Sequence, residues 1–214
     1  MFMRKILIVC ILFAFVAINA SAKELQENFF VTLSPVIMIT TDAVSAPSPV
    51  SYSLGLGYTF PLYQDFSLQL HSSFFTQYYL YDSKDEKAKA AEIENREALA
   101  FCALPSANVV LAVFQDEKQY IFFGAGLSIF ARYGIKANGV REDVSDEIKK
   151  INSNFWSSAN FFYPNITLSY NRIFSPLILG ADCKVYFPLG SLASGDGMEN
   201  TLISLSIKMA KKRN

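Results

Sequence analysis

From Val50 to Phe60 the chain reads VSYSLGLGYTF. Every second residue is large and apolar (Val50, Tyr52, Leu54, Leu56, Tyr58, Phe60), with Ser51, Ser53, Gly55, Gly57 and Thr59 between them. A period of two marks an extended strand whose two faces meet different surroundings. A helix cannot hold this pattern on one face, because 3.6 residues per turn would spread the apolar set around its circumference.

The alternation returns, with more interruptions, at 29–40, 66–81, 97–114, 120–135, 155–170, 177–187 and 201–209. In 29–40, for example, Phe29, Val31, Leu33, Ile37 and Ile39 oppose Thr32, Ser34 and Thr40; in 201–209, Ile203, Leu205, Ile207 and Met209 oppose Ser204, Ser206 and Lys208. The connections alternate too. Those at 61–65, 115–119 and 171–176 are short, and those at 41–49, 82–96, 136–154 and 188–200 are longer. Such a series predicts an all-β fold, an eight-stranded antiparallel up-and-down transmembrane β-barrel with both termini at the short-turn end.

Alternation alone does not say which face is inside, since a soluble lipocalin-like barrel alternates with its apolar face inward. Charge decides the matter. The eight segments hold only Glu97, Arg132, Asp182, Lys184 and Lys208, while 82–96 and 136–154 are dense in charge. A water-facing strand surface carries Lys, Glu and Arg for solubility. Here the less apolar face is mostly Gly, Ser, Thr and Asn, which suits a narrow lumen. An Arg or Lys facing lipid at the bilayer midplane costs ~2–4 kcal/mol, and the apolar face carries no charge except Glu97 at a strand tip. Phe60, Tyr63 and Phe66 near one turn, and Tyr78, Tyr79, Tyr81 and Trp156 near the longer loops, fit two interfacial aromatic belts.

The N-terminus reads as a signal peptide over 1–22, with Arg4 and Lys5, an apolar run from Ile6 to Ile18, and Ala20-Ser21-Ala22 as the cleavage signature. The apolar run is short of the ~20 residues a spanning helix needs. Residues 23–214 then form one barrel domain, and of the three cysteines only Cys102 and Cys183 remain. These fall on opposite faces and are expected to stay free thiols. One His and two mature Cys leave no metal-ligand set, and no cofactor is expected. Lys+Arg 19 against Asp+Glu 19 argues against a nucleic-acid partner, which needs a basic surplus.

Two lumen features stand out. His71, Arg132, Asp182 and Lys184 share the inward parity, Asp182 and Lys184 near mid-height and Arg132 closer to the long-loop rim, and are expected to form a polar network, because charges in a low-dielectric interior must be paired or wet. Val36, Met38, Phe130, Phe155 and Phe161 share that parity in the middle or loop-side half of their strands, and are expected to make an apolar pocket. An eight-stranded barrel is nearly filled by its own side chains, which excludes a wide pore. An enzyme is not expected, since the sole base, His71, has no evident orienter and no G-x-S-x-G element precedes it. The loop 82–96 suits either a short helix or a hairpin tip. The same two alternatives hold for 136–154, where Val144 and Ile148 have i, i+4 spacing.

With its leader segment, eight dyad-patterned strands, three tight turns and four longer loops, the chain resembles the small eight-stranded outer-membrane barrels of the OmpW/OmpX type. The resemblance implies the outer membrane of a double-membraned bacterium, contact with outer-membrane lipid, assistance from the barrel-assembly machinery, and a pocket for a small hydrophobic solute. Such barrels usually end on an aromatic residue, whereas this sequence ends Met209-Ala210-Lys211-Lys212-Arg213-Asn214. Two functions follow as expectations: a narrow channel or binding barrel for small solutes, hydrophobic ones among them, or a structural, adhesin-type barrel with a plugged lumen whose long loops bind a host or surface ligand.

Overall fold

A computed structural model describes residues 27–212 apart from 42–44, 48, 64–65, 141–142 and 196; the signal peptide expected at 1–22 lies outside the described residues. These residues form ten strands: β1 (Glu27–Ile39), β2 (Val50–Tyr63), β3 (Phe66–Asp82), β4 (Lys87–Ala90), β5 (Ala98–Gln115), β6 (Gln119–Ile129), β7 (Ala131–Lys136), β8 (Phe162–Phe174), β9 (Leu177–Tyr186) and β10 (Thr201–Lys212). Among the described residues two helices lie in the longer loops, α1 (Ser145–Trp156) and α2 (Leu189–Ser194). β6 and β7 are one stave interrupted at Phe130, both pairing with β5, and β4 is a short arm hydrogen-bonded to β3. The other pairings run around a ring that closes where β1 meets β10, all antiparallel. The fold is therefore all-β, a closed up-and-down barrel of eight staves.

Register carries one choice of parity around the whole ring, because directly paired residues share a face. Leu33 pairs with Leu54 on one side and Ile207 on the other, and all three point outward, exposed by 54%, 67% and 70%. Their sequence neighbours Ser53 and Ser206 are buried. Leu54, Ile129 and Leu205 lie on the outer surface, and Ser53, Ser128 and Ser204 lie inside. A slip of one residue in any stave would reverse its faces. The outer surface is thus an apolar girdle of Leu, Ile, Val and aromatic side chains.

The inside is built in three layers. Nearest the short turns, Phe30, Val110, Ala112, Tyr120, Phe122, Ile178 and Ala210 pack into an apolar plug. Ser, Thr, Asn and Gln side chains occupy the middle, including Thr32, Gln69, Asn108, Asn165 and Thr167, all buried. Toward the long loops a second apolar cluster contains Val36, Met38, Phe75, Tyr79, Phe130, Phe155 and Tyr163. Glycine is required on β2 because a Cβ at Gly57 would overlap the Phe30 ring, and one at Gly55 would overlap the Thr32 hydroxyl and come 3.2 Å from Cε1 of His71. The short turn after β5 is held by Asp116, whose carboxylate accepts the N–H groups of Lys118 (2.7 Å) and Gln119 (2.8 Å). The bond from Lys118, followed by the one from Gln119, holds this carboxyl below its ordinary pKa.

Several local expectations are corrected. The strand expected over 155–170 begins only at Phe162, because Val144, Ile148, Ile151 and Phe155 recur at helical spacing and make the inner face of α1; Asp146 and Glu147 sit favourably in its first turn. Phe155 therefore reaches the interior from a helix. Tyr79 is fully buried inside the barrel and belongs to no interfacial belt, since it shares inward parity with Phe75 and Gln77. The loop after β3 takes the hairpin alternative: Lys89 pairs with Asp82 and Asp85, each at 2.6 Å, and ties β4 to β3. β10 runs three residues beyond the expected end, to Lys212.

The break at Phe130 has a structural consequence. β8 pairs with the stave as far as Ile129, and above that point β7 pairs only with β5. An open strand edge leaves backbone groups without partners. Asn152 of α1 covers it, accepting the Gly134 N–H at 2.8 Å and donating to the Gly134 carbonyl at 2.9 Å. Asn154 likewise accepts the N–H of Ala88 on β4 at 3.1 Å. Helix α1 so completes the wall that the strands leave unfinished.

Candidate functional site

The polar residues anticipated from sequence separate into two groups. His71, Asp182 and Lys184 meet in the middle layer. Lys184 Nζ lies 3.1 Å from His71 Nδ1, and Thr32 Oγ1 lies 3.1 Å from Nε2. An ammonium can only donate, so Nδ1 accepts and Nε2 carries the proton that Thr32 receives. Asp182 accepts from the Ser169 hydroxyl and lies 3.7 Å from Lys208 Nζ, with both side chains fully buried. Lys208 also stands over the rings of Phe122 (4.7 Å) and Phe30 (5.4 Å). Phe30 in turn stacks on His71 at 5.6 Å. Lys208, Thr32 and Ser169 were missing from the anticipated network; the parity that Lys208 shares with Ser204 and Ser206 was the available signal.

Arg132 is not part of this group. β5 places Ser106 opposite both His71 and Ser128, and Cys102 opposite Arg132. Four residues of strand separate those rows, or ~13 Å toward the loops. There the guanidinium carbon sits 4.4 Å from the ring centroids of both Phe130 and Phe155, and 5.9 Å from that of Tyr79. Nη2 donates to the Asn160 carbonyl at 2.9 Å, and Nε has no hydrogen-bond partner. Among the described residues no carboxylate pairs with it, although only 6% of the residue is exposed.

Of the five residues anticipated as an apolar pocket, Val36, Met38, Phe130 and Phe155 share the upper cluster with Arg132. Their space is filled by Phe75, Tyr79 and Tyr163: Phe130 stacks on Phe75 at 5.8 Å and meets the edge of Tyr163 at 5.3 Å, while Phe155 meets Tyr79 at 4.8 Å. Phe161 stands apart. It lies in the turn between α1 and β8, half-buried, against Trp156 (5.6 Å) and Phe162 (4.5 Å). Tyr79 and Tyr163 escaped the sequence reading, the first because its neighbours Tyr78 and Tyr81 suggested a belt.

Above the upper cluster a cavity of about 510 Å³ opens among the long loops. Arg132 and Tyr163 line it from the barrel, Asn154 and Asn160 from the end of α1 and the turn after it, and Ser191 and Ser194 from α2. Cys102 is buried inside the barrel and Cys183 sits half-buried on the other side of the wall, both as free thiols.

The geometry defines a class: a closed eight-stave barrel with an apolar exterior, a filled interior and a polar cavity at its loop end. No protein-family model and no curated protein matches the chain. Among solved structures it is similar to the outer membrane protein Ail of Yersinia pestis in a phospholipid bilayer nanodisc, at 6% identity and a TM-score of 0.43 over 86% of this chain and 98% of that one. A crystal structure of Ail, the attachment invasion locus protein of the same organism, in complex with the heparin analogue sucrose octasulfate, gives 7% identity and a TM-score of 0.41 over 86% and 96%.

Proposed function

We propose that this chain is an integral outer-membrane β-barrel with a plugged lumen that acts through its long-loop end, as a surface-binding protein and not as a channel or an enzyme. The observation that carries this reading is the pairing of an apolar exterior with an interior filled in three layers. Contiguous apolar patches beyond a few hundred Å2 are rare on soluble monomers, and here the outward face of every stave contributes to one girdle. The staves run from 10 residues upward, against the ~9–11 needed to cross a bilayer at tilt. Residues 1–22 direct export, outer-membrane lipid surrounds the girdle, and the barrel-assembly machinery inserts the chain. His71 has both ring nitrogens engaged in a buried row, which supports a structural role for it.

The test is conductance and solute flux in planar bilayers and liposomes containing the folded protein. The plugged barrel shows no steady conductance and no liposome swelling; stable open-channel events would overturn it. A second reading, binding of a small hydrophobic solute, is favoured by one feature: a shallow apolar groove of about 560 Å³ on the outer wall, lined by Tyr52, Leu54, Phe74, Phe101, Tyr133 and Trp156.

A further inference from the structure

We infer that the cavity at the loop end is a binding site for a small hydroxylated carboxylate, the chemistry of a sugar acid, with Arg132 as the residue that takes its carboxylate. This deepens the surface-binding reading and rests on it. Arg132 is a buried cation that lines the cavity and has no carboxylate partner among the described residues; its Nη2 donates to the Asn160 carbonyl and its Nε is buried without a partner. A guanidinium presents a planar fork that matches a carboxylate with two parallel hydrogen bonds. Its aromatic surroundings, Phe130, Phe155 and Tyr79, hold it by cation–π attraction without neutralising it. The charge thus remains available to a ligand in a setting drier than bulk water.

The rest of the lining specifies hydroxyl chemistry. Asn154, Asn160, Ser191 and Ser194 bring amides and hydroxyls to the lining, with Asn160 Nδ2 donating to the Asn154 carbonyl (3.1 Å) and the Ser194 hydroxyl to the Ser191 carbonyl (3.2 Å), and Tyr163 brings an aromatic ring. The volume lies in the ~300–1,000 Å³ range of small-molecule sites. Acids also line the cavity, but two are already engaged: Asp85 pairs with Lys89 at 2.6 Å, and Glu199 Oε2 accepts from the Thr41 N–H (2.5 Å) and hydroxyl (2.7 Å). Glu86 is exposed at the rim, next to Lys87.

The test titrates D-glucuronate, with D-glucose as its uncharged counterpart, into the full barrel in nanodiscs of zwitterionic lipid, followed by calorimetry. Zwitterionic lipid removes anionic headgroups as competitors. Saturable 1:1 binding of glucuronate is expected, with glucose at least tenfold weaker. Arg132→Met lowers glucuronate affinity at least tenfold. Ser194→Trp, at an exposed residue that leaves the barrel wall intact, also lowers it by filling the cavity. Equal binding of glucuronate and glucose, or no binding by wild type that is folded in the nanodisc, overturns the site and leaves the barrel reading standing. If Arg132→Met does not fold, unchanged affinity in Ser194→Trp overturns the site alone. Failure of wild type to enter the nanodisc counts against the membrane reading instead.

Discussion

Lys208 and Arg132 are buried cations inside one barrel, and their surroundings stabilise them in different ways. Lys208, in the turn-side half, has the Asp182 carboxylate at 3.7 Å and a row of Ser, Thr and Asn around it. Arg132, in the loop-side half, has two phenyl rings at 4.4 Å, one backbone carbonyl and no carboxylate. The polar row, above an apolar plug and beneath an aromatic cluster, keeps its cation beside a carboxylate, although Asp182 Oδ2 and side-chain atoms of Asn108, Asn165 and Thr167 have no hydrogen-bond partner among the described residues. The upper cation is incompletely satisfied and borders a cavity. Where a buried cation has a carboxylate beside it the interior serves stability; where a cation has rings and a single carbonyl and borders a cavity, the interior can serve recognition.

The difference is open to attack by mutation. The largest effect is expected for Asp182→Asn, which strands Lys208 without its anion. Removing one partner of a buried ion pair costs ~3–5 kcal/mol, read as a drop in urea midpoint for barrels refolded in bilayers. Next comes Leu54→Arg on the outer girdle, at ~2–4 kcal/mol if the residue lies near the bilayer midplane; the same change in a soluble barrel would be close to neutral. Arg132→Met, in the same unfolding assay, costs less than Asp182→Asn, at about 2 kcal/mol for a desolvated cation–π arrangement, because no anion is left behind. A larger loss at Arg132 than at Asp182 would erase the contrast between the halves.

The smallest effect concerns the β3–β4 hairpin. The Lys89 ammonium, donating to Asp82, holds that carboxyl below its ordinary pKa, helped by the Lys84 backbone N–H. A depressed folded value means the tie is fully present above the ordinary carboxylate range and is lost as pH falls through the lower folded value. Amide exchange at the β4 residues that pair with β3 should therefore stay protected at pH 5 and rise only in stronger acid. Faster exchange already at pH 5 would contradict the Asp82–Lys89 tie.

Parity made the barrel legible. Ser53 inside and Leu54 outside follow from alternation plus the scarcity of charge, and both are local properties of the chain. Height within the barrel was legible only in part: Arg132 reads as closer to the long-loop rim, but its separation from His71 does not. His71 and Arg132 share a parity, yet stagger between staves places them four rows apart, and stagger is set by pairings that no single segment encodes. Helix α1 was legible in its first half, from Val144 and Ile148, and its end was hidden for a different reason. Phe155 and Trp156 extend the alternation of β8 backward by coincidence, while the helical recurrence of Val144, Ile148, Ile151 and Phe155 is the stronger pattern once the window is widened. The cavity above Arg132 draws on β4, α1, α2 and β7 together, so no stretch of sequence announces it.

The account turns on hydrocarbon meeting the outward face of every stave. Spin labels placed one at a time from Ser204 to Met209, with Cys102 and Cys183 replaced by Ala and the barrel in lipid bilayers, test this directly. Labels at Leu205, Ile207 and Met209 should be open to oxygen and closed to a water-soluble nickel chelate, while those at Ser204, Ser206 and Lys208 should be shielded from both. Ready access of the nickel chelate to Leu205 and Ile207 would place the apolar girdle in water and contradict the account.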